Sequence, residues 1–419
     1  MELKRNILFF STVLVVIFVY SNIIPLKDTS FCTVILPKDS FTMIGTISSD
    51  PVKINRSKPL YKAYFSPEAL FTPDGETSSC SGNILLYFPS ELVEAHYPGK
   101  LRTSWRKKGL CITEKNEKML IKVKNSPFGN KEFNVLSAKN LQREQSIFSW
   151  IASIRTLCRL HFKRLMYSWG KAGGLFLALI TGSREYLDAN LSLSFRNAGL
   201  SHILALSGMH LSLLSGLALL IGKLSGSTKK AYVFQALVII IFVWFAGLSP
   251  SLLRALIFSL ILLTSKLFNL KIKNTLSVLC LTFLIHISVK PQDAHEISFI
   301  LSYTALLSII LFTEYFAFWY IRFLPFSVSS SLSTSTAAQI FTMPVSLKTF
   351  GTFTPGGIIS TLFISPLITV FIYLGLFLTI VTLIFPIIAV YSSFLINCVY
   401  FVIEKFVILF SKIPFIQIN

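Results

Sequence analysis

The chain has 419 residues, a formal net charge of +20, 53% hydrophobic residues and only 14% charged ones. Apolar runs near ~20 residues recur along it, the length at which a helix crosses a bilayer. A soluble domain has no need for so many such runs, so the composition argues against one.

Met1–Glu2–Leu3–Lys4–Arg5 precedes the apolar run Asn6–Ile24, with no obvious small-residue cleavage site after it. Residues 1–25 are therefore expected to be an uncleaved transmembrane anchor with a cytoplasmic N-terminus. Residues 26–145 are polar, with short alternating runs separated by Gly75, Gly82, Pro98–Gly99 and Gly109. Candidate strands are Phe41–Ile47, Leu60–Phe65, Asn83–Phe88, Lys100–Trp105 and Met119–Val123. About five strands in this length suggest a small OB-like β-barrel. The anchor places it outside the cytoplasm, where one pair among Cys32, Cys80 and Cys111 could be bridged; the sequence does not fix which. Tyr61, Tyr64, Phe65, Tyr87, Phe88 and Trp105 could stack bases, although most suit a barrel core.

Residues 146–169 read as a basic amphipathic helix. From Leu101 to Met166 there are about 15 Lys or Arg against about four acidic residues. Arg155, Arg159 and Lys163 fall four apart and form a basic stripe, expected to lie at the membrane surface. Such a stripe suits anionic lipid headgroups or nucleic-acid phosphates.

Residues 170–419 form a polytopic region. Gly170–Gly182 is too short to span comfortably and reads as a partial or re-entrant element. Spans are expected near Gly199–Gly222, Ala231–Leu248, Ser251–Phe268, Asn274–Val289, Ile297–Ile321, Ser331–Phe350, Gly357–Phe385 and Pro386–Phe410. With the anchor, that is about nine spans. Lys223, Lys229 and Lys230, then Lys266, Lys271 and Lys273, then Arg322, mark alternate loops as cytoplasmic under the positive-inside rule.

The most informative stretch is Gly199–His210, in which Ser201, His202, Ser207, Gly208 and His210 head an apolar run. Ionisable and polar groups are costly in hydrocarbon and usually face a bundle interior or a wet path. A break at Ser207–Gly208 would free backbone groups that need protein or cavity-water partners. Gly208, Ser212 and Gly216, four apart, are expected to form a small-residue strip for close helix packing. Arg254, one turn inside its span, is a candidate pore cation or a snorkelling anchor. Ser298 and Ser302 on one helix, and Ser331, Thr334, Ser335, Ala338 and Thr342 with Gln339 on the next, suit tight packing or a wet lining.

These residues also carry a resemblance. Gly199–His210 resembles the signature of ComEC-type competence proteins. Gly182–Ser183–Arg184 is similar to that family's Gly-Asp-Arg turn, with serine replacing the acid. Leu248–Ala255 resembles its S-P-S-x-x-R-A turn, and Glu296–Tyr303 its GFQLSF element without the glycine and glutamine. Ala337–Ala338–Gln339 with Thr342–Met343–Pro344 is similar to its AAQ…P helix. Ile44–Gly45–Thr46–Ile47, Asp50–Pro51 and Pro98–Gly99–Lys100 resemble its OB-like N-terminal domain.

The resemblance implies an inner-membrane channel importing single-stranded DNA during natural transformation. It also implies an outside DNA receptor and a cytoplasmic helicase-like motor as partners, besides membrane lipid; a homo-oligomer is left open. The polar seam and Arg254 are then pore residues.

Many members carry a C-terminal metallo-β-lactamase-like domain. Here the chain ends at Asn419 after the last expected span, and none of the six histidines falls in a His-x-His-x-Asp-His cluster. No enzymatic activity, metal or cofactor is therefore expected, and any nuclease would come from another polypeptide, or none is used. Gly216–x5–Gly222–Lys223–Leu224 has the wrong spacing and lacks the Ser/Thr of a phosphate-binding loop. Alternative readings are a transporter or channel for another anionic polymer or small solute, and a vestigial competence protein.

Overall fold

The computed structural model describes residues 40–54, 60–71, 77–80, 82–93, 112–115, 117–125, 132–141, 147–413 except 225 and 273, and 416–417, with residues 9, 11–17 and 20 before them. The first expected span is thus only partly described. The strand expected at Lys100–Trp105 lies outside the described residues, as do Cys32 and Cys111 of the expected disulfide set.

Seven strands come first: β1 (Phe41–Ile47), β2 (Val52–Ile54), β3 (Leu60–Phe71), β4 (Thr77–Ser79), β5 (Ile84–Pro89), β6 (Lys118–Asn125) and β7 (Glu132–Asn140). A short helix, α1 (Ser90–Val93), follows β5. β1 pairs antiparallel with both β3 and β6, β3 with β5, and β6 with β7; β5 runs parallel to β7. The ring β1–β3–β5–β7–β6 therefore closes into a five-strand barrel, while β2 and β4 add to β3. Alternation drives this: Phe41, Met43 and Ile47 of β1 point inward with Phe65, Leu86, Phe88, Ile121 and Phe133 from the other strands. Gly45 sits where the β1–β3 register shifts, and a Cβ there would lie 2.2 Å from the Ser66 carbonyl oxygen, so only glycine fits.

Most of the described aromatics weighed for base stacking are core residues, as expected. Tyr61, Phe65, Tyr87 and Phe88 are buried, and Tyr64 is exposed, while Trp105 lies outside the described residues. Cys80 is buried in the same core.

The helices are α2 (Ile147–Ser168), α3 (Gly170–Thr181), α4 (Ala189–Asn197), α5 (Ser201–Leu204), α6 (Gly208–Lys223), α7 (Thr228–Ala246), α8 (Pro250–Leu267) and α9 (Thr275–Val289). After a 3-10 turn, Pro291–His295, come α10 (Ile297–Tyr320), α11 (Phe326–Phe350), α12 (Gly357–Ile384) and α13 (Ala389–Phe410). A two-residue strand β8 (Thr352–Phe353) pairs with β9 (Ile416–Gln417). Among the described residues five helices, α7, α8, α10, α12 and α13, are long and apolar enough to cross a membrane; α3, α6 and α9 are apolar but shorter. The chain is an integral membrane protein with a small barrel domain. α3 is buried along almost its whole length, and its Phe176 ring fills the space a side chain on Gly375 of α12 would need.

α11 is long but rich in hydroxyls. Its fully buried stripe is Ser329, Ser333 and Ala337, and the Ser308 hydroxyl of α10 donates to the Ala337 carbonyl. Thr334 and Thr342 donate to carbonyls one turn back in their own helix.

A buried ion cluster joins barrel and helices, and it overturns the expected membrane-surface stripe on α2. Arg159 donates to Asp50 (2.7 Å) and Glu114 (2.9 Å), and Lys163 pairs with Glu114 and with Glu185 (2.7 Å). Arg159 also donates to the Phe245 (3.1 Å) and Ala246 (2.9 Å) carbonyls, satisfying acceptors that the end of α7 leaves open. Thr156 donates to Glu117 at 2.6 Å. Arg159 and Lys163 are 2% and 5% exposed, so this face of α2 points into the protein. Buried cations must be paired, and three carboxylates supply the pairing. Burial alone would raise the Asp50 carboxyl, but Arg159, Lys163 and the Lys115 N–H outweigh it and hold it well below the usual carboxylate range.

Candidate functional site

The Gly199–Gly222 stretch is a broken helix and not one continuous span. α5 ends at Leu204, Ala205 is extended, and α6 starts at Gly208. α6 alone has 16 residues, roughly 24 Å at the helical rise, short of a ~30 Å hydrocarbon core. The break has a local cause. Ser207 is extended, and its hydroxyl accepts from the Met209 N–H while the His210 ring accepts from the Ser207 N–H, both at 3.3 Å. This reciprocal capping starts a new helix at Gly208.

The interruption frees backbone groups, and distant segments satisfy them. The Ser251 hydroxyl donates to the Leu206 carbonyl at 2.6 Å. Leu206 also packs under Gly182, a left-handed residue (φ 74°) closing α3, where a Cβ would meet the leucine side chain at 3.0 Å. Gly199 (φ 73°) abuts Gly357 at the start of α12, with 2.8 Å between its would-be Cβ and the Gly357 Cα. Gly208 faces Ala255 and the Arg254 guanidinium of α8. Arg254 in turn donates to the Ser302 hydroxyl of α10 through Nε (3.1 Å) and Nη2 (2.7 Å). Segments far apart in sequence thus meet at one seam: Gly182, Gly199–His210, Ser251–Arg254, Ser302 and Gly357.

His210 is 1% exposed, and its Nε2 has no hydrogen-bond partner among the described residues. His202 lies on α5, on the far side of the break, and is exposed together with Ser201. Ser298 is exposed in the first turn of α10. Gln339 is half-buried on α11 and makes no side-chain hydrogen bond to a described residue. The structure does not bring Ser298 or Gln339 into the Arg254–Ser302 contact.

The expected strip Gly208, Ser212, Gly216 is corrected. Only Gly208 meets another helix; Ser212 is exposed and Gly216 faces open space. The packing stripe of α6 is Leu211, Leu214, Ser215, Ala218 and Gly222, with Gly222 against Ala231 of α7. Gln235 of α7 donates to Ser215 at 2.6 Å within that interface.

A second polar group beside the seam was not anticipated. His286 of α9 is fully buried, with Nε2 3.2 Å from Asp293 and Nδ1 3.1 Å from the Tyr303 hydroxyl. Tyr303 follows Ser302 directly, so this Asp–His–Tyr chain braces the turn of α10 that presents Ser302 to Arg254. One signal was available: a histidine inside the apolar run Thr275–Val289 with an aspartate seven residues on. Around Arg254 the chemistry is that of a cation held by the Ser302 hydroxyl.

Comparison with known proteins follows the same segments. The family described as "Competence protein" matches residues 179–419. ComE operon protein 3 of Bacillus subtilis (strain 168) is 27% identical over 181 residues, 43% of this chain and 23% of that protein. The chain thus aligns with less than a quarter of that relative's length. No solved structure matches. The matched region begins just before the Gly182 turn and takes in the whole broken-helix seam, and on that match the chain belongs to the competence protein family.

Proposed function

We propose that this protein takes part in DNA uptake during competence, as a conduit for single-stranded DNA across the inner (plasma) membrane. The observation that carries this is the seam. A helix broken inside the family-matched region meets a half-buried Arg254 whose side-chain hydrogen bonds, among the described residues, both go to the Ser302 hydroxyl oxygen. Neutral hydroxyls leave the guanidinium its full charge, which suits a passing phosphate. Non-helical backbone at membrane depth is tolerated where it is buried in protein or lines a wet cavity. Residues 1–25 serve as anchor, 26–145 as an extracytoplasmic barrel, 146–169 as the connecting helix and 170–419 as the channel, with about nine spans in all when the anchor is included. Support for an OB-like barrel comes from the strand order with its parallel β5–β7 pair.

Moving each phosphate inward against an inside-negative potential costs ~2.3 kcal/mol per 100 mV. The conduit therefore works with a cytoplasmic helicase-like motor and an outside receptor. The test is delivery of labelled DNA to the cytoplasm of cells lacking this gene, complemented with wild type or Arg254→Gln at matched membrane levels. Restoration by wild type and at least tenfold less by the variant is expected. Normal import by the deletion strain refutes the conduit and favours another anionic cargo or a vestigial role.

A further inference from the structure

At one end of the bundle, where α7 begins and α8 ends, lies a cavity of about 580 Å³. Lys229, Lys266 and Lys271 line it, together with Thr228, Tyr232 and Asn269. Residues 223–230 and 266–274 contain no Asp or Glu, and none of these three ammonium groups has an ion-pair partner among the described residues. Three like charges around one cavity repel each other, and an anion relieves that repulsion. The chain is shaped to keep them there. Asn269 takes a left-handed φ of 53°, and the Leu270 N–H returns to the Ser265 carbonyl at 2.7 Å, which turns Lys271 back toward the cavity.

The surroundings are apolar. Leu270, 65% exposed, lines the cavity, and Phe268, 70% exposed, lies two residues before it in the same loop. Below them the outer face of α7 exposes Val233, Leu237 and Ile241. A cation cluster rimmed by apolar side chains, at the end of two membrane-crossing helices, offers both halves of a lipid its complement. A nucleic acid strand would use the lysines and leave the apolar rim in water. We propose that this cavity is a binding site for the phosphate headgroup of an anionic phospholipid, with acyl chains along α7. The proposal rests on membrane placement alone, and its outcome is independent of whether DNA is the cargo.

The test uses the full chain purified in neutral detergent. Phosphatidylglycerol, phosphatidylcholine or an oligothymidine is added, and bound lipid is counted by native mass spectrometry alongside the thermal unfolding midpoint. The variant is Lys229→Gln/Lys266→Gln/Lys271→Gln. The control, Lys62→Gln/Lys122→Gln/Lys124→Gln on the barrel, removes equal charge elsewhere. Wild type and control are expected to retain phosphatidylglycerol over phosphatidylcholine and gain midpoint, with retention on the order of a hundredfold weaker in the cavity variant. Equal retention by all three proteins, or no preference over phosphatidylcholine, overturns the site. Loss of oligothymidine binding with lipid binding unchanged overturns it in favour of a nucleic-acid contact. A second measurement needs no variant: amine labelling of Lys229, Lys266 and Lys271 in wild type slows in phosphatidylglycerol vesicles relative to phosphatidylcholine vesicles, and unchanged labelling overturns the proposal.

Discussion

Replacing Arg159 with alanine tests what fastens the barrel to the helices. The guanidinium makes four polar contacts, to Asp50, Glu114 and the Phe245 and Ala246 carbonyls, all between 2.7 and 3.1 Å. Its loss leaves two buried carboxylates short of a partner, the situation in which breaking a buried pair costs ~3–5 kcal/mol. That corresponds to roughly 150- to 5,000-fold in the ratio of docked to undocked barrel. Limited proteolysis in detergent, directed at Arg159 and Lys163 on the face of α2 that pairs with the barrel, reads that ratio as a cleavage rate; the Arg159→Ala chain is read at Lys163. Asp50→Asn in the same background is expected to recover part of the loss, because it removes one stranded charge. The pH dependence has a definite sign. Asp50 is held below its ordinary value, so its contribution is complete above the unfolded-chain value of ~3.9 and is lost as pH falls through the lower folded value. Burial alone would lower Lys163, but Glu114 and Glu185 outweigh it and raise it, so its contribution is complete below ~10.4 and lost as pH rises through the raised folded value. The Arg159→Ala defect should therefore be flat between about pH 5 and 9. A variant that resists protease within about 0.5 kcal/mol of wild type refutes the reasoning.

Ser207→Ala removes the cap at the start of α6 and should cost ~1 kcal/mol in thermal unfolding; an unchanged midpoint means the break is held from elsewhere. His286→Leu leaves Asp293 with Lys290 at 3.7 Å and the Tyr303 hydroxyl with the Thr282 carbonyl at 3.4 Å, and should cost ~1–3 kcal/mol, whereas Tyr303→Phe removes a single hydroxyl and should cost less. Equal midpoints for both variants and wild type would remove the Asp–His–Tyr chain from the account. Gly375→Val drives a side chain into the Phe176 ring and should cost ~1–3 kcal/mol by overpacking, read in the same melt.

What could be read from the sequence was local. β1 coincides with the expected Phe41–Ile47 because strict alternation announces a half-buried strand. β7 escaped because only Phe133 and Val135 alternate inward before Glu132–Asn140 turns polar. The apolar run Gly199–Gly222 reads as one span with a conditional break at Ser207–Gly208, and the Ser207–His210 capping that makes the break shows only in the fold. The stripe Arg155, Arg159, Lys163 was misread because its charges are answered from far away. Asp50, Glu114 and Glu185 lie 109, 45 and 22 residues from their cationic partners, and helical periodicity carries no such information. Small residues at spacing four failed for Gly216 for a related reason: spacing defines a face without saying which neighbour occupies it. At the seam, Arg254 and Ser302 were named separately, and only the fold puts one on the other.

The grip of Arg159 on the last carbonyls of α7 gives the molecule a load path. The same guanidinium holds the barrel through Asp50 and Glu114, so a tug on the barrel arrives at the end of α7 and at the turn Gly247–Ser249 just beyond it. Arg254 stands one helical turn further along. Whatever weighs on the outer domain is in this way mechanically in series with the cation at the seam, through a linkage no longer than one side chain and one turn.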